Sequence, residues 1–195
     1  PVPPEVFQFV LCVSLVKPGI ILADNGLFQI HPGGSTVLTD ELPYLQGRKG
    51  ANPLYKMWKE DASFEAVKAE TIATAVKIGN PVSWKKSIRG IKWSRGVVEE
   101  VSDQEIMDAK ALIDASGIGA EPASCCSIAG ARKLVRAGII NKEEKVVAIL
   151  TGNLLKDPDS VVNYHLGRLK GIKSRYANKP IQIKPDFEVV KKVLN

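Results

Sequence analysis

Thr151 and Gly152 follow an apolar run, Val146-Val147-Ala148-Ile149-Leu150, and are the first residues of this chain whose types and position suggest chemistry. The run has the length and β-branched content of a strand buried on both faces, the kind found in parallel sheets covered by helices. Ligands of open α/β sheets sit beyond the carboxyl ends of such strands, so a hydroxyl followed by a glycine here is a candidate ligand contact. The same pair would also serve to start a turn. A second candidate is Glu121-Pro122-Ala123-Ser124-Cys125-Cys126-Ser127. Proline in a first turn and a run of small residues predict a helix from Pro122 to Arg136 that can approach a strand or ligand closely, with an anion-friendly N-terminus. On the alternative reading, Ser124 and Ser127 satisfy first-turn donors and Glu121 is a favourable N-terminal charge. A third is the loop His31-Pro32-Gly33-Gly34-Ser35-Thr36, whose glycines could form a backbone nest for a phosphate.

Other reactive side chains form no such group. Asp103, Glu105 and Asp108 read as cap and surface residues of one helix. His165 has no ligand partner near it in sequence. The three cysteines, Cys125 and Cys126 among them, make neither a disulfide framework nor a metal spacing. A reducing, cytoplasmic setting is the expectation. No metal site and no catalytic residue is identified from the residues alone.

The elements around these candidates alternate between strand and helix. Pro1 to about Leu45 reads as strands and turns: Val6 to Val16, then Ile20 to Leu22, then a turn at Asp24-Asn25-Gly26. Asn52-Pro53 opens a helix with Leu54, Met57 and Trp58 as its stripe. Glu70 to Val76 reads as a short helix stopped at Gly79-Asn80-Pro81. Ser83 to Trp93 is an amphipathic helix whose Lys85, Lys86, Arg89 and Lys92 face water. A strand from Gly96 to Val101 precedes Ser102-Asp103-Gln104-Glu105, a capping box that opens a helix bearing Ile106, Ala109, Leu112 and Ile113. After Asp157 the chain is helical or irregular to Arg175. Lys179 to Pro185 reads as a short edge strand, and Asp186 caps a last helix from Phe187 to Leu194.

Three of these segments resemble threonine synthases. Leu150-Thr151-Gly152-Asn153-Leu154-Leu155-Lys156-Asp157 resembles their Leu-Thr-Gly-(His/Asn)-Gly-Leu-Lys-Asp. Glu121 to Ser127 resembles Glu-Pro-Ala-Ser-Ala-Ala-Ser. Glu70-Thr71-Ile72-Ala73-Thr74-Ala75-Val76-Lys77-Ile78-Gly79-Asn80-Pro81 resembles Thr-Ile-Ala-Thr-Ala-Ile-(Arg/Lys)-Ile-Gly-Asn-Pro. The likeness runs from about Gly50 to Asp157. It implies an α/β three-layer sandwich with a mostly parallel sheet, the tryptophan-synthase-β-like fold (fold type II of pyridoxal phosphate enzymes), incomplete relative to the family. Residues 1–45 would be a strand-rich segment without family match, and residues 46–195 the C-terminal part of the catalytic domain.

The resemblance also implies pyridoxal phosphate as cofactor and a lyase acting on a phosphorylated amino acid, O-phosphohomoserine. By it Thr151 contacts the pyridine nitrogen, Gly152, Glu121 and Ser124 line the cofactor pocket, and Lys77 and Asn80 meet the substrate. The complete enzyme is expected to be a homodimer.

Two family parts are missing from the sequence. The Val-Pro-x-Gly-Asn-x-Gly-Asn phosphate loop has no counterpart, and no lysine, Lys17 and Lys49 included, sits in the Ser-Phe-Lys-Asp-like context of the Schiff-base lysine. The family's second signature glycine is Leu154 here. The expectation is a C-terminal portion of a longer protein or a chain whose first 45 or so residues have diverged.

Composition sets outer bounds. With 195 residues, 45% hydrophobic and 25% charged, the chain can bury a sizeable core. A formal charge of +6 without aromatic interleaving makes the cluster Lys170, Lys173, Arg175 and Lys179 a solvated face, and no nucleic-acid partner is expected. Val6 to Val16 falls short of the roughly 20 residues of a membrane helix, so no membrane partner is expected.

Overall fold

The computed structural model describes strand backbones at residues 12–16, 19–23, 27–30 and 36–39, then residues 51–194 apart from 95, 96, 142, 144 and 151. The turn at Asp24-Asn25-Gly26 and the loop from His31 to Ser35 lie outside the described residues, as do Lys17, Lys49 and Thr151.

Four strands, β1 (Cys12–Val16), β2 (Gly19–Ala23), β5 (Val97–Val98) and β6 (Lys145–Ile149), form one sheet in the order β5-β1-β2-β6. β3 (Leu27–Ile30) and β4 (Thr36–Thr39) form a separate antiparallel ladder. The expected parallel pairing is the β2–β6 ladder, from Gly19 opposite Lys145 to Ala23 opposite Ile149. The sheet is mixed, because β1 pairs antiparallel with both β2 and β5. Only Lys17 and Pro18 separate β1 from β2, and a two-residue connection can join antiparallel strands but not parallel ones. Val146 and Ala148 alternate along β6 and, with Leu150 just after it, pack on the core. The strand expected from Gly96 to Val101 is shorter, two residues long.

Against this sheet pack α1 (Pro53–Glu60), α2 (Trp84–Ser94) and α4 (Cys125–Arg136), and α3 (Asp103–Ala115) packs on α4. Leu54, Ile88, Ile91, Ile106 and Leu134 meet in the core. In α2 the buried Ile88 and Ile91 oppose exposed Lys85, Lys86, Arg89 and Lys92, as the 3.6-residue pattern predicts. Asn52 precedes α1 but does not cap it with its side chain; its Nδ2 donates to Glu100 Oε2 at 2.8 Å instead, tying α1 to the chain after β5.

The capping box of α3 is reciprocal: Ser102 Oγ accepts the Glu105 N–H at 3.3 Å, and Glu105 Oε2 accepts the Ser102 N–H at 2.7 Å. Two expectations fail nearby. The Glu70 to Val76 helix reduces to a 3-10 turn at Thr74–Val76. Asp103 explains this, because its carboxylate accepts the Thr71 hydroxyl (2.5 Å) and the Ile72 N–H (3.4 Å), and the β-branched Thr71, Ile72 and Thr74 resist helical packing. Asp108, expected on the surface, is buried at 6% exposure. It is kept there by three donors: Gln104 Nε2 (2.8 Å), the Tyr164 hydroxyl (2.9 Å) and Arg175 Nη1 (3.1 Å).

Those donors bring in the C-terminal part. The Asp157 carboxylate caps α5 (Pro158–His165) through Ser160, and Tyr164 at its end enters a small second core with Met107 and Ala111. Its hydroxyl also accepts the Tyr176 N–H at 3.3 Å, and Gln104 exchanges hydrogen bonds with the Lys173 backbone at 2.7 and 2.9 Å. His165 has a structural role, its Nδ1 accepting the Asn178 N–H at 2.9 Å. Lys179 to Pro185 is exposed and forms no strand; Pro180 and Pro185 each lack the N–H that a ladder needs. Asp186 Oδ1 accepts the Val189 N–H at 3.1 Å and caps α6 (Phe187–Leu194), as the sequence predicts. No described helix is long and apolar enough to cross a membrane.

Burial pushes the Tyr164 hydroxyl up to about 12, with the adjacent Asp108 carboxylate acting in the same direction, so it stays a donor through the neutral range. Tyr164→Phe should leave Asp108 short of a donor and the Tyr176 N–H without its acceptor, costing about 1–3 kcal/mol. Urea unfolding of the two proteins, compared at equal slope, measures this; an unchanged midpoint would show that the network contributes nothing.

Candidate functional site

Beyond β6 the chain closes on the loop before α4 through both backbone polar groups of one residue, Gly152. The Gly152 N–H donates to Ser124 Oγ at 2.9 Å, and the Gly152 carbonyl accepts the Glu121 N–H at 2.9 Å. Ala120 and Asn153 form an isolated antiparallel bridge next to it. Glycine is required by space here: a Cβ on Gly152 would lie 1.7 Å from Glu121 Oε1. Glu121, 2% exposed, carries its carboxylate to Lys156 Nζ at 3.2 Å, whose side chain remains 56% exposed.

Ser124 does not cap α4, which begins at Cys125 and not at the expected Pro122. Its hydroxyl is turned to Gly152, and it is fully buried. Ser127 Oγ donates back to the Ser124 carbonyl at 2.8 Å. The first-turn capping role weighed for Ser124 is therefore not the one it performs.

The segment resembling the family's Thr-Ile-Ala-Thr-Ala run arrives from the other side. Thr74 Oγ1 donates to Asp157 Oδ2 at 3.4 Å, joining it to the end of the signature segment. Gly79 is tightly enclosed, since a Cβ there would lie 1.6 Å from the Val67 carbonyl oxygen. Lys77 and Asn80 are exposed, and none of the described hydrogen bonds joins them to Gly152 or Glu121. Thr151, the first candidate, lies outside the described residues; Leu150 and Gly152 flank it.

Leu154, where the family has glycine, is accommodated by another glycine. A Cβ on Gly119 would lie 2.1 Å from Leu154 Cδ2, so the bare Gly119 leaves the space that the leucine occupies. Leu154 starts a 3-10 turn, Leu154–Lys156, and is not among the positive-φ residues, so its backbone needs no glycine.

Sequence reasoning missed Lys110. It is 1% exposed, and its Nζ donates to the Ala120 carbonyl at 2.6 Å and to Asp114 Oδ2 at 2.7 Å. Lys110 thus braces from below the short segment that pairs with Gly152 and Asn153. The signal was available: Lys110 stands four residues after Ile106 and three before Ile113, inside the apolar stripe, with Asp114 at the i+4 position to pair it.

The matches to known proteins bear on these residues. Residues 45–152 match the family described as pyridoxal-phosphate dependent enzyme. The chain belongs to that family. Among its relatives, threonine synthase of Methanocaldococcus jannaschii is 40% identical over 164 residues, 82% of this chain and 38% of the relative. That of Methanosarcina acetivorans is 46% identical over 131 residues, 65% of this chain and 32% of the relative. Threonine synthase 2, chloroplastic, of Arabidopsis thaliana is 35% identical over 162 residues, 80% of this chain and 31% of the relative. The chain therefore spans about a third of the length of these relatives. The fold class is α/β of the tryptophan-synthase-β-like type, and the cofactor of the family is pyridoxal phosphate.

The described residues fit such a group in two respects. Gly152 carries no side chain of its own and leaves that space to the Glu121 carboxylate, in a wall built from buried polar groups. Ser124 Oγ, having accepted one hydrogen bond, keeps its own proton for an acceptor.

Ser124→Ala should leave the buried Gly152 N–H without a partner and destabilise the fold by about 1–3 kcal/mol. Chemical denaturation reads this directly, and a loss below a few tenths would mean water replaces the hydroxyl. Asp103 supplies a pH test. Its burial raises the carboxyl above the usual 3.8, against the lowering effect of the bonds from Thr71 and Ile72. A raised folded value means the folded state holds the proton more tightly. Stability contributed by Asp103 is thus present below 3.8 and lost as pH climbs through the folded value. Asp103→Asn should flatten that decline in the urea midpoint; parallel pH curves for the two proteins would refute it.

Proposed function

We propose that this chain forms the C-terminal part of a threonine synthase, which converts O-phosphohomoserine and water to threonine and phosphate with pyridoxal phosphate. The observation that carries this reading is the convergence of three segments far apart in sequence: Thr74 with Asp157, Ser124 with Gly152, and Glu121 with Lys156. These are the same three segments that resemble the family's motifs, and the relatives over this stretch are named threonine synthases.

When bound, pyridoxal phosphate would supply an electron sink for substrate carbanions. Thr151 would offer its hydroxyl to the pyridine nitrogen, a neutral partner that leaves the nitrogen unprotonated. Gly152 would make room for the Glu121 carboxylate, and Gly152, Ser124 and Glu121 would together form the pocket wall. Lys77 and Asn80, both exposed, would meet the phosphorylated amino acid. The working enzyme would be a cytoplasmic homodimer acting on a small molecule, without nucleic acid or membrane.

The sequence carries neither the family's phosphate loop nor its lysine motif, which favours a second reading in which this chain contributes to a site only together with other polypeptide. General acid–base assistance of the kind that lysine gives is commonly worth about 10² to 10⁴ in rate. In the complete enzyme, Thr151→Val should lower turnover at least about tenfold and alter the cofactor's absorption while leaving the unfolding midpoint in place. The 195-residue chain alone should release no phosphate from O-phosphohomoserine and carry no borohydride-stable cofactor on lysine. Normal turnover in the Thr151 variant would end its assignment. Threonine formation by the chain alone, with one lysine labelled, would end the view that the lysine is missing, and Lys17 and Lys49 would be examined first.

A further inference from the structure

A second cleft lies toward the C-terminal end of α4, between that helix, α3 and the segment following α5. Its charged lining is Glu105, Asp108, Arg132, Lys133, Arg136 and Arg175. We propose that it binds a small phosphate-class anion, held by Arg132, Arg136 and Arg175.

The argument begins with which charges are already satisfied. Asp108 has both oxygens filled, Oδ1 by Gln104 and Tyr164 and Oδ2 by Arg175. Glu105 Oε2 is occupied by the Ser102 N–H and hydroxyl. Lys133 pairs with Glu99 at 3.0 Å and donates to the Glu100 carbonyl at 2.7 Å. No ion pair among the described residues takes up Arg132 or Arg136. Their i,i+4 spacing puts both guanidinium groups on one face of α4, toward the cleft.

Arg175 completes the arrangement. One of its N–H groups is fixed on Asp108, which orients the planar fork at the cleft wall and leaves the other donors of the guanidinium for a ligand. Guanidinium forks match the oxygen spacing of phosphate, and the two unpaired guanidinium groups outweigh the single carboxylate of Glu105, so the cleft favours an anion. The free volume, about 50 Å³, admits about four water-sized groups at roughly 10–15 Å³ each, comparable with one tetrahedral oxyanion.

This cleft is separate from the residues around Gly152. Arg132 and Arg136 lie about two and three turns beyond Ser124, roughly 12 and 18 Å along the helix at 1.5 Å per residue. The proposal does not depend on the reaction proposed above. The ligand could be free inorganic phosphate or the head of a phosphate monoester, which share this chemistry.

Titration calorimetry of the full chain with inorganic phosphate and, separately, with O-phosphoserine tests the proposal, using sodium chloride as the ionic-strength control. Saturable binding is expected, weakening with salt and falling about tenfold or more in Arg132→Gln/Arg136→Gln, but not in Lys192→Gln. Equal affinity for the two probes would assign the site to free phosphate, and tighter binding of O-phosphoserine to a monoester; both support it. As a readout needing no variant, phosphate should protect Arg132 and Arg136 of the unmodified chain from phenylglyoxal, read by peptide mass. No binding at about 10 mM phosphate, binding undiminished in the double variant, or absence of protection would overturn the proposal and leave the two arginines as charges complementing the C-terminal end of α4.

Discussion

The backbone of Gly152 is the constraint on which the rest of the site depends. Its N–H and carbonyl are both committed, to Ser124 Oγ and to the Glu121 N–H, at a buried position. An unpaired buried backbone group costs as much as a lost hydrogen bond, so the loop before α4 and the chain leaving β6 must stay in register with each other. A side chain at position 152 would displace the Glu121 carboxylate. Glycine, serine and glutamate at these positions therefore form one mutually dependent unit.

α3 carries much of the support for that unit. At its N-terminus Asp103 holds the Thr71–Ile72 backbone out of a helix, so that Thr74 can reach Asp157. In its middle Asp108 gathers Gln104, Tyr164 and Arg175 and fastens the C-terminal segment. Two residues further on Lys110, shielded from solvent, props up the Ala120 carbonyl. A charge buried in this way is tolerated only with close partners, and each of these groups has at least one within hydrogen-bond reach. The helix is thus amphipathic in a modified sense, with buried positions that include the polar side chains of Asp108 and Lys110, which hold other segments by their backbone or side-chain donors and acceptors.

Departures from the family pattern can be judged by the same reasoning about space. Leu154 in place of glycine looks disruptive in sequence, yet it fills the room that Gly119 leaves, and its backbone lies in a region open to any residue. The mixed sheet arises as simply: two residues between β1 and β2 permit only a reversal of direction, while β2 and β6, far apart in sequence, pair in parallel.

Local signals determined much of this protein. The capping box at Ser102, the stripes of α1 and α2, the Asp186 cap of α6 and the strand before Gly152 all follow from neighbours a few residues apart, and such short-range patterns are legible in the chain. The three motif segments were legible too, as was their membership of the pyridoxal-phosphate family. Tertiary structure alone decided what long-range partners did with particular side chains. It turned Ser124 away from its own helix, drew Asp108 inside, reduced Glu70 to Val76 to a 3-10 turn and denied Lys179 to Pro185 a strand. The physical reason is the same in each case. A polar side chain or backbone group takes the conformation in which its hydrogen bonds are satisfied, and for these residues the partner is absent or lies tens of residues away, where no local pattern records it.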